Sequence, residues 1–359
     1  MRMISKNRIL IFILILLVGG CNKPSNSLNY DDSIITEDVD GYSRDMFIHD
    51  DTLFVVNEDE GLLIYKIDKS NQSININLIY SDSVFYSEKG WNLSGVLFSE
   101  EFDNIYLLDK FYCTYFANLT EVMDTNAIYQ PLQCAADNHH ASKFTIKNGD
   151  TDVGIFTLVR KKSEYSTSGI TAIYQNKWFE GFNLNFSVID SLNYDLTDVH
   201  YMNDKLVISH TNDNFPEFQI YNISKTEEPI ADTLTLIRTI ETPAIPNTLY
   251  STGDALFVGM GNHTGVKVYN VENADSITEM AWLATGFSVK EIYWEATARL
   301  LLLSCGFQGV VILELDENMQ EVDSWIINTS YAYAARNYMG HIIVASRNGL
   351  EIINLNATQ

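Results

Sequence analysis

The chain has 359 residues, 46% of them hydrophobic, with 23 basic against 47 acidic side chains, which excludes a disordered or collagen-like polypeptide. A formal net charge of −24 argues against a nucleic-acid partner, because phosphate binding needs a basic surface. The 12% of aromatic residues and the 6 prolines leave material for a large core.

The N-terminus carries Arg2, Lys6 and Arg8, then an unbroken apolar run from Ile9 to Val18, then Gly19-Gly20-Cys21. A basic start, a ten-residue apolar run and small residues before a cut site predict a secretory signal over 1–20, too short for the roughly 20 residues that span a bilayer. Without it, 20 basic against 47 acidic side chains leave a charge of −27. Val18-Gly19-Gly20-Cys21 resembles the bacterial lipobox, and that resemblance implies a lipidated Cys21 as the mature first residue. Several acyl chains on one residue hold a protein at a membrane, at roughly 0.8 kcal/mol per buried methylene. Residues 21–30 read as the lipidated Cys and a flexible tether, and 31–359 as a single domain. Asn22 follows the cysteine where an inner-membrane retention signal would resemble Asp, so the expected location is the cell envelope, at the outer membrane on its periplasmic side or at the surface.

Cys113, Cys134 and Cys305 remain in a protein read as exported. A Cys113–Cys134 disulfide is open to it, but the odd count favours buried reduced thiols, and no spacing resembles a metal site.

A repeat then organises the rest of the chain. Gly61-Leu-Leu-Ile-Tyr-Lys-Ile67 returns as Gly265-Val-Lys-Val-Tyr-Asn-Val271, Gly309-Val-Val-Ile-Leu-Glu-Leu315 and Gly349-Leu-Glu-Ile-Ile-Asn-Leu355, with a copy lacking the glycine at Glu217-Phe-Gln-Ile-Tyr-Asn-Ile223. Upstream apolar runs begin at Leu53, Leu206, Leu256, Leu301 and Ile342, and Ile105 and Ile155 fill the gaps at intervals of 41 to 52 residues. Runs of Ile, Val, Leu, Tyr and Phe bounded by Gly, Asn, Asp and Ser are strand chemistry, joined here by hairpins. Further strands over Met46–His49, Asp198–Met202, Lys290–Trp294, Thr235–Ile240 and Glu279–Leu283 give four per unit, and no helical period is evident after Cys21. Units of this length with no room for crossover helices predict an all-β chain, a β-propeller of seven four-stranded blades, with six or eight as alternatives. The last unit lacks its outer strand, and the orphan segment near 33–37 is expected to supply it and close the ring.

The glycine-led apolar frame resembles the LVIVD repeat of bacterial exported β-propeller proteins over roughly 41–68 and 194–355. The resemblance implies a propeller at the cell surface or in the periplasm and supplies no catalytic residues. The repeat's Asp is replaced here by Lys66, Asn222, Asn270, Glu314 and Asn354, and Lys110-Phe-Tyr-Cys113 lacks the glycine.

No GxSxG, HExxH, Walker or CxxC pattern occurs, and Gly259-Met-Gly-Asn-His-Thr-Gly265 joins two strands without the helix that would receive a pyrophosphate. His139-His140 reads as an exposed loop pair and Asp150-Thr-Asp152 as a turn, so no metal or other cofactor is expected. Hairpins and entry loops at one end of a propeller converge, and here they carry Trp91, His140, Tyr194, Phe215, His263, Phe287, Phe307, Tyr331 and Tyr333 with Arg336 and Arg347. Aromatic rings bring large contact area at small rotamer cost, so these residues are the candidate binding face. The function expected is that of a non-catalytic envelope lipoprotein that binds a protein or glycan partner. The alternative is a glycan-acting hydrolase or lyase at the central channel, for which Asp45 and Asp198 occupy equivalent positions, each eight residues before its anchor.

Overall fold

The computed structural model describes residues 26–27, 34–37, 41–58, 60–70, 73–81, 92–99, 103–109, 113–124, 129–134, 139–147, 154–161, 170–179, 182–192, 196–210, 216–224, 226, 232–273 and 276–355. The expectations placed on 1–20, Cys21, Trp91, Tyr194 and Phe215 lie outside these residues, as does the side chain of His140.

Each sequence unit folds into a meandering antiparallel sheet. The first contains Ser43–His49, Thr52–Asn57, Gly61–Ser70 and Ser73–Ser81; the second contains Leu93–Ser99, Asn104–Asp109, Cys113–Asn118 and Gln130–Cys134. His139–Lys147, Gly154–Lys161, Ile170–Phe179 and Phe182–Leu192 form the next, followed by Leu196–Met202, Lys205–His210, Glu217–Ser224 and Thr233–Glu241. Pro246–Thr252, Ala255–Met260, Gly265–Asn270 and Thr278–Leu283 precede Glu291–Glu295, Leu300–Ser304, Val310–Leu315 and Glu321–Ile327. Ala332–Tyr338, His341–Ser346 and Gly349–Asn354 end the chain's strands, and Ile34–Glu37 pairs antiparallel with the last of them as the outer strand.

The first strand of each sheet lies beside the first strand of the next, and the first strand at 332–338 returns to the one at 43–49. The fold is a β-propeller. Its apolar core is divided among the seams between sheets. Phe54, Val56, Leu62 and Ile64 pack with Leu93, Val96 and Leu107; Phe257, Val266 and Val268 pack with Ile292, Trp294 and Leu303. Phe47 stacks on Phe98 at 5.4 Å, and Phe257 lies 5.9 Å from Trp294, each pair crossing a seam. A second strand sandwiched between two neighbouring sheets is apolar on both faces, which is why Leu53–Val56 and Ile342–Val344 read as continuous runs and are buried throughout.

The repeat glycines open the third strands. Gly265 and Gly309 have φ of 82° and 78°, and a Cβ there would stand 2.2 Å from the Leu283 carbonyl oxygen and 2.0 Å from that of Ile327. Positive φ and the closeness of the fourth strand together require glycine. In most of the first strands, a β-bulge precedes the residue that starts the regular pairing: Arg44, Ser94, Thr197, Asn247 and Tyr333 are the extra residues before Asp45, Gly95, Asp198, Thr248 and Ala334.

Two expectations are corrected, and one short helix joins the strands: Leu119–Met123 follows the third strand of its sheet, capped by the Asn118 side chain, which accepts from the Thr120 and Glu121 amides. A five-residue helix shows no period, so only its cap chemistry could reveal it. His139 and His140 belong to a strand, pairing with Lys161 and Arg160, and are not a loop. Asn26 and Ser27, in the segment read as a tether, pair parallel with Trp325 and Ile326 as a fifth strand of that sheet.

Candidate functional site

The bulge residues and the hairpins joining second to third strands meet at one end of the molecule. Arg44 and Tyr333 are equivalent bulge residues of two neighbouring sheets, and the Arg44 guanidinium sits 4.4 Å from the Tyr333 ring centre. Arg347, in the hairpin after His341–Ser346, lies 5.1 Å over both Phe307 and Tyr331 and 5.4 Å over Tyr42. Phe307 meets Tyr331 edge-on at 4.7 Å, and Tyr331 and Tyr333 are 4.5 Å apart. The cluster straddles the sheets of 291–327, 332–354 and 43–81.

Its two cations differ. Arg44 is neutralised by Glu58, which takes hydrogen bonds from both its Nε and Nη2 and a further one of 3.4 Å from the Asn92 amide group. Arg347 has no ion pair among the described residues; a hydrogen bond with Tyr333 holds its guanidinium above its usual pKa. Phe307 is 72% exposed, an unusual state for a phenylalanine in a molecule with so much buried apolar surface. An exposed ring beside a guanidinium that has no ion pair among the described residues can stack on a partner's apolar group and bind its anion at once.

A second set of polar residues lies lower, on the first strands around the axis. Asp45 and Asp198, each following a bulge, accept a hydrogen bond from an amide of the next sheet: Val96 at 3.1 Å and Leu249 at 2.8 Å. Glu291, at the equivalent register, takes a 2.6 Å bond from Arg336 Nη1, while Nη2 of the same guanidinium reaches Asp45 at 3.3 Å. Burial pushes the Glu291 carboxyl up, and the nearby Asp45 charge adds to it; Arg336 opposes both. Burial also raises Asp198 against the pull of Lys143. These acids therefore join sheets to one another, with Arg336 bridging Glu291 and Asp45.

Of the candidate residues, the structure brings Phe307, Tyr331, Tyr333 and Arg347 together. His263 lies exposed in another hairpin, its amide donating to Ser288 Oγ and its Nδ1 3.2 Å from the Gly286 carbonyl oxygen. Gln308 donates to that same carbonyl, so this hairpin adjoins the one bearing Phe307. Two of the candidate residues lie outside this cluster. Phe287 is buried in the core between the sheets of 246–283 and 291–327 because its loop folds inward after the positive φ of Gly286. Arg336 is drawn to the axis by Glu291 and Asp45. The reading missed Tyr42, Arg44 and Glu58. The usable signal was register, since Arg44 immediately precedes Asp45 and so falls on the bulge.

Among the described residues no helix is long and apolar enough to cross a membrane.

No protein-family model and no curated protein matches the chain, so the likeness to the LVIVD repeat rests on the residues quoted for it. Solved structures do match. A chain in the crystal structure of the mitotic checkpoint complex superposes with a TM-score of 0.61 at 9% identity, covering 93% of this chain and 95% of that one. The crystal structure of the computationally designed Ika8 protein gives 0.59 at 9% identity, covering 89% and 98%. The shared property is the fold.

Proposed function

We propose that this chain is a non-catalytic envelope lipoprotein that binds a protein partner through the end of the propeller bearing Tyr42, Phe307, Tyr331, Tyr333 and Arg347. The observation that carries the reading is the exposed Phe307 ring at 5.1 Å from an Arg347 guanidinium that has no ion pair among the described residues. Tyr and Arg dominate the energetics of protein interfaces, and five of the cluster's six rings and cations, Tyr42, Arg44, Tyr331, Tyr333 and Arg347, are of these two kinds. Support for export and lipidation comes from the run Ile9 to Val18 and from Val18-Gly19-Gly20-Cys21, and support for a bacterial LVIVD-type protein from the glycine-led repeat. A seven-bladed ring is part of the same reading, supported by the succession of first strands from 43–49 to 332–338.

The axial carboxylates favour a structural role over the alternative of a glycan-cleaving enzyme. A pair of catalytic carboxylates needs a free gap between them, whereas Asp45 and Glu291 share one guanidinium and Asp45 also holds a neighbouring amide.

The test is affinity capture from membranes of the native host with the full chain and with Phe307→Ala and Arg347→Ala variants that keep the wild-type melting temperature. A protein retained by the wild type and lost from both variants supports the reading. Equal capture by all three overturns it, and retention only on a glycan array transfers the site to carbohydrate.

A further inference from the structure

Cys113 opens the third strand of the sheet 93–134 and Cys134 closes the fourth, and the register makes them direct antiparallel partners. Partners across an antiparallel ladder have Cα atoms about 4.5 or about 5.5 Å apart, according to whether they exchange hydrogen bonds. Both separations fall within the roughly 4.4–6.8 Å that a disulfide spans, so either pairing type admits the bond without moving a strand. The remaining cysteine of the folded region is a poor competitor. Cys305 is buried at 3% exposure, its sulfur donating to the Leu303 carbonyl at 3.5 Å, and burial pushes its thiol up to about 12. An inert thiolate precursor neither attacks nor exchanges. The odd cysteine count thus divides into one cross-strand pair and one sealed thiol.

We propose that Cys113 and Cys134 form a disulfide that ties the two outer strands of this sheet at the end carrying the hairpins and entry loops. One thiolate attacks a disulfide-bearing oxidant to give a mixed disulfide, and the second thiolate displaces the bound half. The pair loses two protons and two electrons, and the oxidant leaves as two thiols. The bond closes a loop that contains the helix Leu119–Met123 and the return into Gln130–Cys134, and so restricts that segment in the unfolded chain. The inference is independent of the partner-binding reading.

The experiment uses the full chain, purified after export to an oxidising compartment, alkylated without reductant in denaturant, and digested for peptide mass mapping. The expected result is a linked Cys113–Cys134 peptide pair two hydrogens lighter than the free peptides, which separates on reduction, with Cys305 recovered alkylated. Recovery of Cys113 and Cys134 as separate alkylated peptides overturns the proposal, as does either one linked to Cys305. A thermal melt provides a second reading. Reductant is expected to lower the midpoint of the wild type and to leave a Cys113→Ala/Cys134→Ala double variant unmoved. Equal shifts in both proteins also overturn it.

Discussion

The Asp198 carboxylate accepts the Leu249 amide of the neighbouring sheet at 2.8 Å while its other oxygen takes the Val199 amide at 2.9 Å. Asp45 repeats the arrangement with Val96 and Met46, at 3.1 and 2.8 Å. Each aspartate stitches a first strand to the next one, at the point where a bulge has turned the chain. Asp198→Ala leaves two buried amides without their acceptor, at about 1–3 kcal/mol for each such donor. A loss of about 2–4 kcal/mol is expected in urea unfolding, whereas Asp198→Asn, which keeps an acceptor oxygen, loses less. If the alanine and asparagine variants unfold at the same urea concentration, the carboxylate is not the stitch.

Gly309→Ala tests the hairpin that opens a third strand. The new methyl group would meet the Ile327 carbonyl oxygen at 2.0 Å and would also hold alanine at a φ of 78°. The left-handed conformation alone costs about 1–2 kcal/mol, and the clash must push the fourth strand aside. A fall in stability above about 2 kcal/mol is expected. Gly253→Ala is the control: its φ is also positive, at 54°, but nothing lies within 4 Å of the added group, so only the conformational part of the loss should appear.

These residues also show how far the sequence could be read. The hairpins were legible because the glycines at 61, 265, 309 and 349 answer to one local backbone demand that recurs in four units, and the second strands because burial on both faces leaves unbroken apolar runs. The outer strand at Ile34–Glu37 was legible as a deficit: the last unit had three strands and the chain start had one to spare. The site was only half legible. Phe307, Tyr331, Tyr333 and Arg347 could be placed by counting hairpins, but Arg44 depends on a bulge, which adds a residue without any composition of its own. Phe287 and Arg336 went astray because their placement is decided by partners remote in sequence: the core between two sheets for one, and Glu291 and Asp45 for the other.

The Glu291–Arg336–Asp45 group makes a prediction about additivity. Arg336 is drawn into a site where burial alone would depress its charge, and the two carboxylates restore it and raise its pKa. Removing one member of a buried ion pair costs about 3–5 kcal/mol because the other is left uncompensated, while replacing both by apolar groups of similar size is close to neutral. Glu291→Gln and Arg336→Met are each expected to destabilise strongly. The double variant should lose less than the sum of the two single losses, as measured by a double-mutant cycle in guanidinium, with Asp45 then keeping only its amide partners. Simple addition of the two losses would show that the pair does not interact.

His200 sets a pH dependence of definite sign. Its ring sits on a first strand, sharing a 2.9 Å hydrogen bond between Nε2 and Ser251 Oγ, 6.1 Å from the Tyr250 ring, and burial lowers its pKa from 6.5 to about 4. Between these two values the unfolded chain takes a proton that the folded one refuses. The stability that His200 contributes is therefore complete above pH 6.5 and is lost as the pH falls to about 4, at most about 3 kcal/mol for a shift of this size. His210, also lowered by burial, acts in the same direction, whereas Asp198 and Glu291, both raised by burial, act in the opposite one. The difference between wild type and His200→Gln isolates the single group, because the other titrations are common to both proteins. Unfolding free energies of the two are expected to converge as the pH drops from 7 to 4, the wild type losing its advantage. A difference that stays constant over that interval would mean that His200 takes up its proton in the folded protein as readily as in the unfolded chain.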